Sequence, residues 1–228
     1  MRLHRFYSEQ SLPVAGVFSY TNENQIHQWS RVFRYKSGDR VLLFDGTDKD
    51  VECVIESLEK QSATLSVNSI TESPAGKREK EVTLYFSLLK GSMSDFVLEK
   101  AVEMGVSHIV PLVTTHSEKR EINMERARKT IVEACEQSGW GSVPSISEPI
   151  DSKDIPLGSG TVVFDQSGEK NSHGFGEVKN IVIGPEGGWS SDEREYFEKQ
   201  QARIVSLNSA TLRAETAILV ALARTLSL

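Results

Sequence analysis

Apolar residues recur at two different periods along this chain, and the change of period divides it. Up to about residue 72 the period is two. Val41-Leu42-Leu43-Phe44 reads as a strand and Asp45-Gly46-Thr47-Asp48 as a turn. Val51, Cys53 and Ile55, then Ala63, Leu65 and Val67, alternate with polar neighbours. This pattern predicts a small antiparallel barrel, with a short helix over Glu23–Trp29 between strands. The stretch TESPAGKREKE, rich in turn formers and mixed charge, reads as a connection, with the linker proper at residues 73–81.

From residue 82 short β-branched runs alternate with helical periodicity. Val82–Leu88, Ile109–Val113, Thr161–Asp165, Ile181–Ile183 and Ile204–Leu207 read as buried strands. Between them fall a helix from about Ser94 to Met104, ended by Gly105, and a helix capped by Asn123. The latter has Ala127, Ile131, Ala134, Cys135 and Ser138 on one stripe and Gly139 at its close. Residues 142–160, rich in Pro, Ser and Gly, read as one long connection, and Ala214–Ala223 as a final helix. Such alternation is the pattern of a parallel sheet with helices on both faces.

The candidate chemistry sits at the last two strand ends. Ile181-Val182-Ile183 stops at Gly184-Pro185-Glu186-Gly187-Gly188, and Ser190 to Glu193 has the spacing of a capping box. Strand, glycine loop and helix start follow in that order, and ligands of α/β sheets sit at the carboxyl ends of strands. A second strand end follows, with the loop Asn208–Arg213 before the last helix. A Gly-Pro-x-Gly-Gly loop is also a common tight turn, so spacing alone leaves both readings open. No Lys-Ser/Thr follows the glycines and their spacing is not the dinucleotide fingerprint, which disfavours a P-loop and a dinucleotide-dependent oxidoreductase. No Gly-x-Ser-x-Gly elbow supports a serine hydrolase.

Composition adds limits. The chain has 228 residues, 38% hydrophobic and 25% charged, as in a globular protein. No apolar run would span a bilayer and MRLHRFYSEQ lacks a signal-peptide segment, so the expected compartment is the cytoplasm. Cys53 and Cys135 are expected as buried thiols, and two cysteines with five scattered histidines predict no metal. The net charge of −6 argues against a surface that grips nucleic acid everywhere. Locally, though, Arg2, Arg5, Arg31, Arg34, Lys36 and Arg40 outnumber Glu9, Glu23 and Asp39 in the first 40 residues. That is either a solvated barrel face or a phosphate-contacting surface.

GPEGGW followed by SLNSATLRAETAILVALA resembles the C-terminal signature of the SPOUT methyltransferases, nearest to the bacterial uridine N3-methyltransferases of 16S ribosomal RNA. HQWSRVFRYKSGDRVLLFDG resembles the PUA-like RNA-binding barrel of that family, and LLKGSMSDFVLEKAVEMGVSHIVPLVTTHS the start of its catalytic domain. EACEQSGWGSVPSI resembles its middle motif, with Trp140 where a basic residue is usual. Asn208-Ser209-Ala210 stands for the usual Gly-x-Arg, and Ala214 for the usual Thr. The resemblance implies an α/β fold: a PUA-like β-barrel over 1–72, then a SPOUT domain over 82–228 with a parallel sheet, helices on both faces and a C-terminal trefoil knot. It implies a homodimer with the active site near the subunit interface, methylation of N3 of a uridine in 16S rRNA of the small subunit, and S-adenosylmethionine as cofactor. Phe164, Ile183, Gly184, Glu186, Gly187, Gly188, Leu207, Asn208 and Leu212 are then the cofactor-binding candidates. Glu186 has a second reading as a helix cap. Arg213 is the candidate for stabilising the uracil anion or a phosphate. Glu215 is a candidate base or a support for Arg213, or else a first-turn charge that suits the helix dipole. Arg2, Arg5, His27, Arg31, Arg34 and Lys90 are the RNA-binding candidates. A non-catalytic RNA-binding scaffold and a methyltransferase for another nucleotide remain as alternatives.

Overall fold

The computed structural model describes residues 3–118, 120–170, 177–208 and 210–226. By contact the chain falls into two compact units: Met1–Lys77 with Cys135–Val143, and Arg78–Ala134 with Pro144–Leu228.

The first unit is built on a five-stranded sheet. Its strands are β1 (Arg5–Tyr7), β2 (Val17–Tyr20), β3 (Arg40–Phe44), β4 (Lys49–Leu58) and β5 (Ala63–Glu72), in the order β1-β3-β4-β5-β2. The period-two runs are the strands, because alternate residues must enter one core: Val41, Leu43, Val51, Cys53, Ile55, Ala63 and Leu65 are all buried. One pairing departs from the expected antiparallel pattern. β1 runs parallel to β3, with Arg5 opposite Leu42. The predicted helix is α1 (Glu23–Gln28), capped by Asn22 and continued by a π-helical turn over Trp29–Phe33. It drives Ile26 and Trp29 into the core, where Trp29 stacks on Tyr20. Burial raises the Cys53 thiol to about 12, so it is inert; Cys53 and Cys135 are both buried and not joined in a disulfide.

Arg5 corrects one expectation. It is no RNA contact, because protein groups already claim its guanidinium. Nε and Nη2 each donate to Asp50 at 2.8 Å, Nη1 donates to Cys135 O at 2.7 Å, and Nη2 also reaches Trp140 O at 3.0 Å. The plane lies 3.6 Å from the centre of Phe44. These bonds explain why Cys135–Val143 belongs to this unit, which periodicity does not disclose. Tyr7 N–H to Glu136 and Ala75 N–H to Gly139 O add to them. Ser73, expected at the start of the linker, is likewise buried and donates to Asp50 at 2.7 Å.

The second unit holds a parallel sheet, order β12-β10-β11-β6-β7-β8 with β9 also on β7. The strands are β6 (Thr83–Ser87), β7 (His108–Val113), β8 (Ser145–Ile146), β9 (Ile150–Asp151), β10 (Thr161–Lys170), β11 (Asn180–Ile183) and β12 (Arg203–Ser206). Tyr85, Val163 and Val182 join one core cluster with Trp189 and Phe197, while their chain neighbours Leu84, Phe86, Val162, Ile181 and Ile183 are buried too. Strands buried at both parities need cover on both faces. α4 (Ser191–Lys199) packs against β12 and α5 (Ala214–Leu226) against β11, with α2 (Met93–Glu103) against α5; α3 (Met124–Ser138) is the remaining helix of the set. Asn123 caps α3 through Arg126 N–H, as expected. The connection 142–160 is more ordered than its composition suggests, since β8, β9 and a 3₁₀ turn (Ser152–Asp154) lie within it. Two-residue strands carry no period to read.

Candidate functional site

β11 and β12 flank β10, and a cavity of about 240 Å³ lies where β11 ends and the pairing of β10 with β12 shifts, after Phe164. Its walls are Phe164 to Gln166 in the middle of β10, Ile183 to Trp189 at and after the end of β11, and Ser206, Leu207, Asn208, Ala210, Thr211 and Leu212 at and after the end of β12, closed by Ala214 and Ala217 of α5. All nine residues expected around a cofactor line it: Phe164, Ile183, Gly184, Glu186, Gly187, Gly188, Leu207, Asn208 and Leu212.

The glycine loop has its shape for identifiable reasons. A Cβ on Gly184 would lie 2.8 Å from the Trp189 ring, which is buried and donates Nε1–H to Phe164 O at 3.1 Å. Gly188 has φ +69°, a left-handed conformation that glycine adopts without strain, and its N–H closes a turn on Pro185 O at 2.9 Å. His116, from the segment after β7, places Nδ1 3.1 and 3.0 Å from the carbonyls of Gly187 and Gly188. As these are acceptors, Nδ1–H is the donor.

The helix that follows is capped as its sequence predicts. Ser190 Oγ accepts from Glu193 N–H, and Glu193 accepts from Ser190 N–H at 2.8 Å. Thr115 N–H and Ser152 Oγ also donate to Glu193. Burial alone would raise the Glu193 carboxyl, but these donors outweigh it and hold it below the ordinary range. Glu186 is exposed and Glu193 fills the capping role, so the cap reading of Glu186 falls.

Other candidates are not in the cavity. Arg213 and Glu215 flank Ala214 at the start of α5; Arg213 is exposed, Glu215 is half-buried in the first turn, and neither lines the wall. His27, Arg31 and Arg34 are exposed on α1 and the π turn, where Arg34 ends the turn with φ 57°. Lys90 is exposed and paired with Glu118. Arg2 lies outside the described residues. The cavity also includes residues that pattern reading missed. Trp189 stands directly after the glycines, and Asp165 stands at a predicted strand end, so each had a positional signal. Arg194 had none, and neither had His116, which is not in the lining but holds the glycine loop, because their roles depend on contacts across 29 and 71 or more residues. Among the described residues no group of three His, Cys, Asp or Glu could hold a metal, and no helix is long and apolar enough to cross a membrane.

Residues 77–226 match the model of a family described as an RNA methyltransferase domain, and residues 31–68 match that of an RNA methyltransferase PUA domain. The chain belongs to the RNA methyltransferase family. Ribosomal RNA small subunit methyltransferase E 2 of Borreliella burgdorferi is 33% identical to it, over 92% of this chain and 91% of that protein. Ribosomal RNA small subunit methyltransferase E of Rickettsia conorii is 27% identical, over 98% and 95%. The crystal structure of the Neisseria gonorrhoeae methyltransferase of the same name, bound to S-adenosyl methionine, superposes with a TM-score of 0.85 at 26% identity and covers 97% of this chain and 96% of that one. The SPOUT and PUA-like reading of the sequence agrees with this membership and with the parallel sheet.

Proposed function

We propose that this RNA methyltransferase uses S-adenosylmethionine to methylate N3 of a uridine in the 16S rRNA of the small ribosomal subunit. The observation that carries the reading is a cavity in which both C-terminal motifs meet. Its chemistry fits a nucleoside cofactor. Phe164, Ile183 and Leu212 give an apolar slot, and the loop Gly184–Gly188 offers backbone at a place where a side chain at Gly184 would collide with Trp189. When bound, the cofactor supplies an electrophilic methyl group.

The chain's own contribution is position and charge. The cavity walls hold the donor in one orientation, and in-line placement of donor and acceptor can supply roughly 7–11 kcal/mol of the barrier. The imide proton at N3 is acidic enough to leave without a strong base. Arg213, exposed beside two cavity residues, takes the developing uracil anion or its neighbouring phosphate. Glu215 supports Arg213 or the helix dipole. The target base must stand outside a helix stack to be reached. His27, Arg31 and Arg34 form the barrel's RNA-contacting group. The reading further includes a homodimer, a trefoil knot at the C-terminus and residence in the cytoplasm.

Calorimetry with S-adenosylmethionine, against NAD as control, is the first test. Methyl transfer from labelled cofactor to small subunits from cells lacking the protein is the second, with the modified position mapped. Arg213→Ala should cut turnover on the order of 100-fold while cofactor affinity holds. Equal losses in both would remove Arg213 from catalysis. A folded protein that binds no S-adenosylmethionine would favour the scaffold reading.

A further inference from the structure

β10 outruns its neighbour. Its pairing with β12 shifts between Phe164 and Glu169, so Asp165–Gly168 leave the ladder before the strand resumes. The return passes so close to β12 that a Cβ on Gly168 would lie 2.6 Å from Val205 N. The excursion opens a cleft of about 400 Å³ that shares Asp165 and Arg194 with the cofactor cavity and adds Lys170. Every side chain lining it is polar or charged.

The charges there are unevenly spent. Asp165 is committed: one oxygen accepts from Ser167 N–H at 2.7 Å and Ser167 Oγ at 2.6 Å, the other from Arg194 Nε at 3.3 Å. Arg194 is anchored through that one edge, and among the described residues its terminal nitrogens have no hydrogen-bond partner. Lys170 is exposed and, among the described residues, no carboxylate pairs with it. Two cations against one occupied carboxylate leave a site for an oxyanion, in a chain whose total charge is −6.

We propose that this cleft seats a backbone phosphate of the acceptor RNA, held by Lys170 and the free edge of Arg194, so that the target base enters the adjoining cofactor cavity. The inference rests on the methyltransferase reading above. The other source of the same chemistry is the carboxylate of the cofactor's methionine tail. A nucleotide is favoured because the cleft is wholly polar-walled and its second cation, Lys170, stands outside the lining of the cofactor cavity.

Lys170→Ala, Lys170→Glu and Lys170→Arg test it, each checked for an unchanged thermal midpoint. Purified small subunits serve as substrate, with S-adenosylmethionine affinity measured separately by calorimetry. Lys170→Ala should raise KM for the subunits about tenfold and leave kcat and cofactor affinity as they are. The slope of log affinity against log salt should fall in magnitude by about 0.7, one phosphate contact on a single strand. Lys170→Glu should be worse and Lys170→Arg close to wild type. A drop in cofactor affinity with KM for the subunits unchanged would assign the cleft to the methionine carboxylate and overturn the proposal. Wild-type behaviour of both Lys170→Ala and Lys170→Glu would overturn it as well. Failure of the wild-type protein to bind cofactor or methylate subunits would instead strike the methyltransferase reading.

Discussion

Each unit contains an arginine paired with an aspartate, and the two pairs have opposite character. Arg5 and Asp50 expose 6% and 1% of their side chains, and the guanidinium is engaged along both edges. Arg194 and Asp165 expose 43% and 4%, joined by one bond of 3.3 Å. The first pair closes on itself and ties chain segments 45 and 130 residues apart. The second closes only on the carboxylate side and leaves the cation facing a cleft. A pair that satisfies itself is architecture; a pair with an unspent edge beside a cavity is available for a ligand. Neither sequence position announces the difference.

Arg5→Ala draws the contrast most sharply. It strands Asp50 in the interior, which costs about 3–5 kcal/mol. For a protein of this length that is a fall in Tm of roughly 10 °C, measured by calorimetric melting. Replacing both partners, as Arg5→Met with Asp50→Leu, should recover most of it, and RNA affinity below the transition should match wild type. Arg194→Ala should shift Tm little. If Arg5→Ala melts normally but binds RNA poorly, the two pairs are not different in kind.

Gly187→Val probes the open region from the other side. A Cβ there would sit 3.0 Å from His116 Cβ, so the branched side chain must push the loop or fill the cavity. Cofactor affinity should drop about 10- to 100-fold with the melting temperature nearly kept, because Gly187 is exposed. Calorimetric titration reads the first and a melt the second. Unchanged affinity would remove the glycine loop from the cofactor wall.

Most of the fold was legible because burial imposes a period. β4 and β5 alternate, the apolar stretches of β6, β7 and β11 and the first half of β10 are short buried runs, and α3 and α4 carry their caps in sequence. The glycine loop was legible for a local reason too: a strand end, three glycines and a capping box lie within 13 residues, Ile181–Glu193. What was not legible depends on distant partners. Arg5 looked like one more cation in a basic segment until Cys135 O and Trp140 O claimed it. His116 gained a role only from carbonyls 71 and 72 residues away. The polar cleft arises from a register shift, and pairing register is absent from hydropathy.

Glu193 is a closed carboxylate inside the unit that holds the open pair, and it shows that closure, not the unit, sets the behaviour. Its folded pKa is depressed, so its stabilisation is present above the unfolded value and is lost as pH falls through the folded one. Glu193→Gln should cost about 1–3 kcal/mol at pH 7, since an amide nitrogen must face a donor. The gap between variant and wild type should narrow as pH drops below the ordinary glutamate value of about 4.3. Denaturant titrations at several pH values would show it. A gap independent of pH would mean the carboxylate charge contributes nothing there.

Arg34 sets the lower bound of the comparison, as an exposed cation that lines neither the cofactor cavity nor the polar cleft. It ends the π turn in a left-handed conformation and stands near exposed Val32 and Arg31, with no ion pair among the described residues. If exposure alone made an RNA contact, Arg34 would serve as well as Lys170. Arg34→Ala should therefore weaken RNA binding by the smallest margin of the series, with a salt slope reduced by no more than about 0.7. Filter binding of small-subunit RNA at several salt concentrations measures it, beside Lys170→Ala. A larger slope change for Arg34→Ala than for Lys170→Ala would reverse the ranking. It would place the main phosphate grip on the first unit, and the rule that an unspent charge needs an adjoining cavity would not hold for this protein.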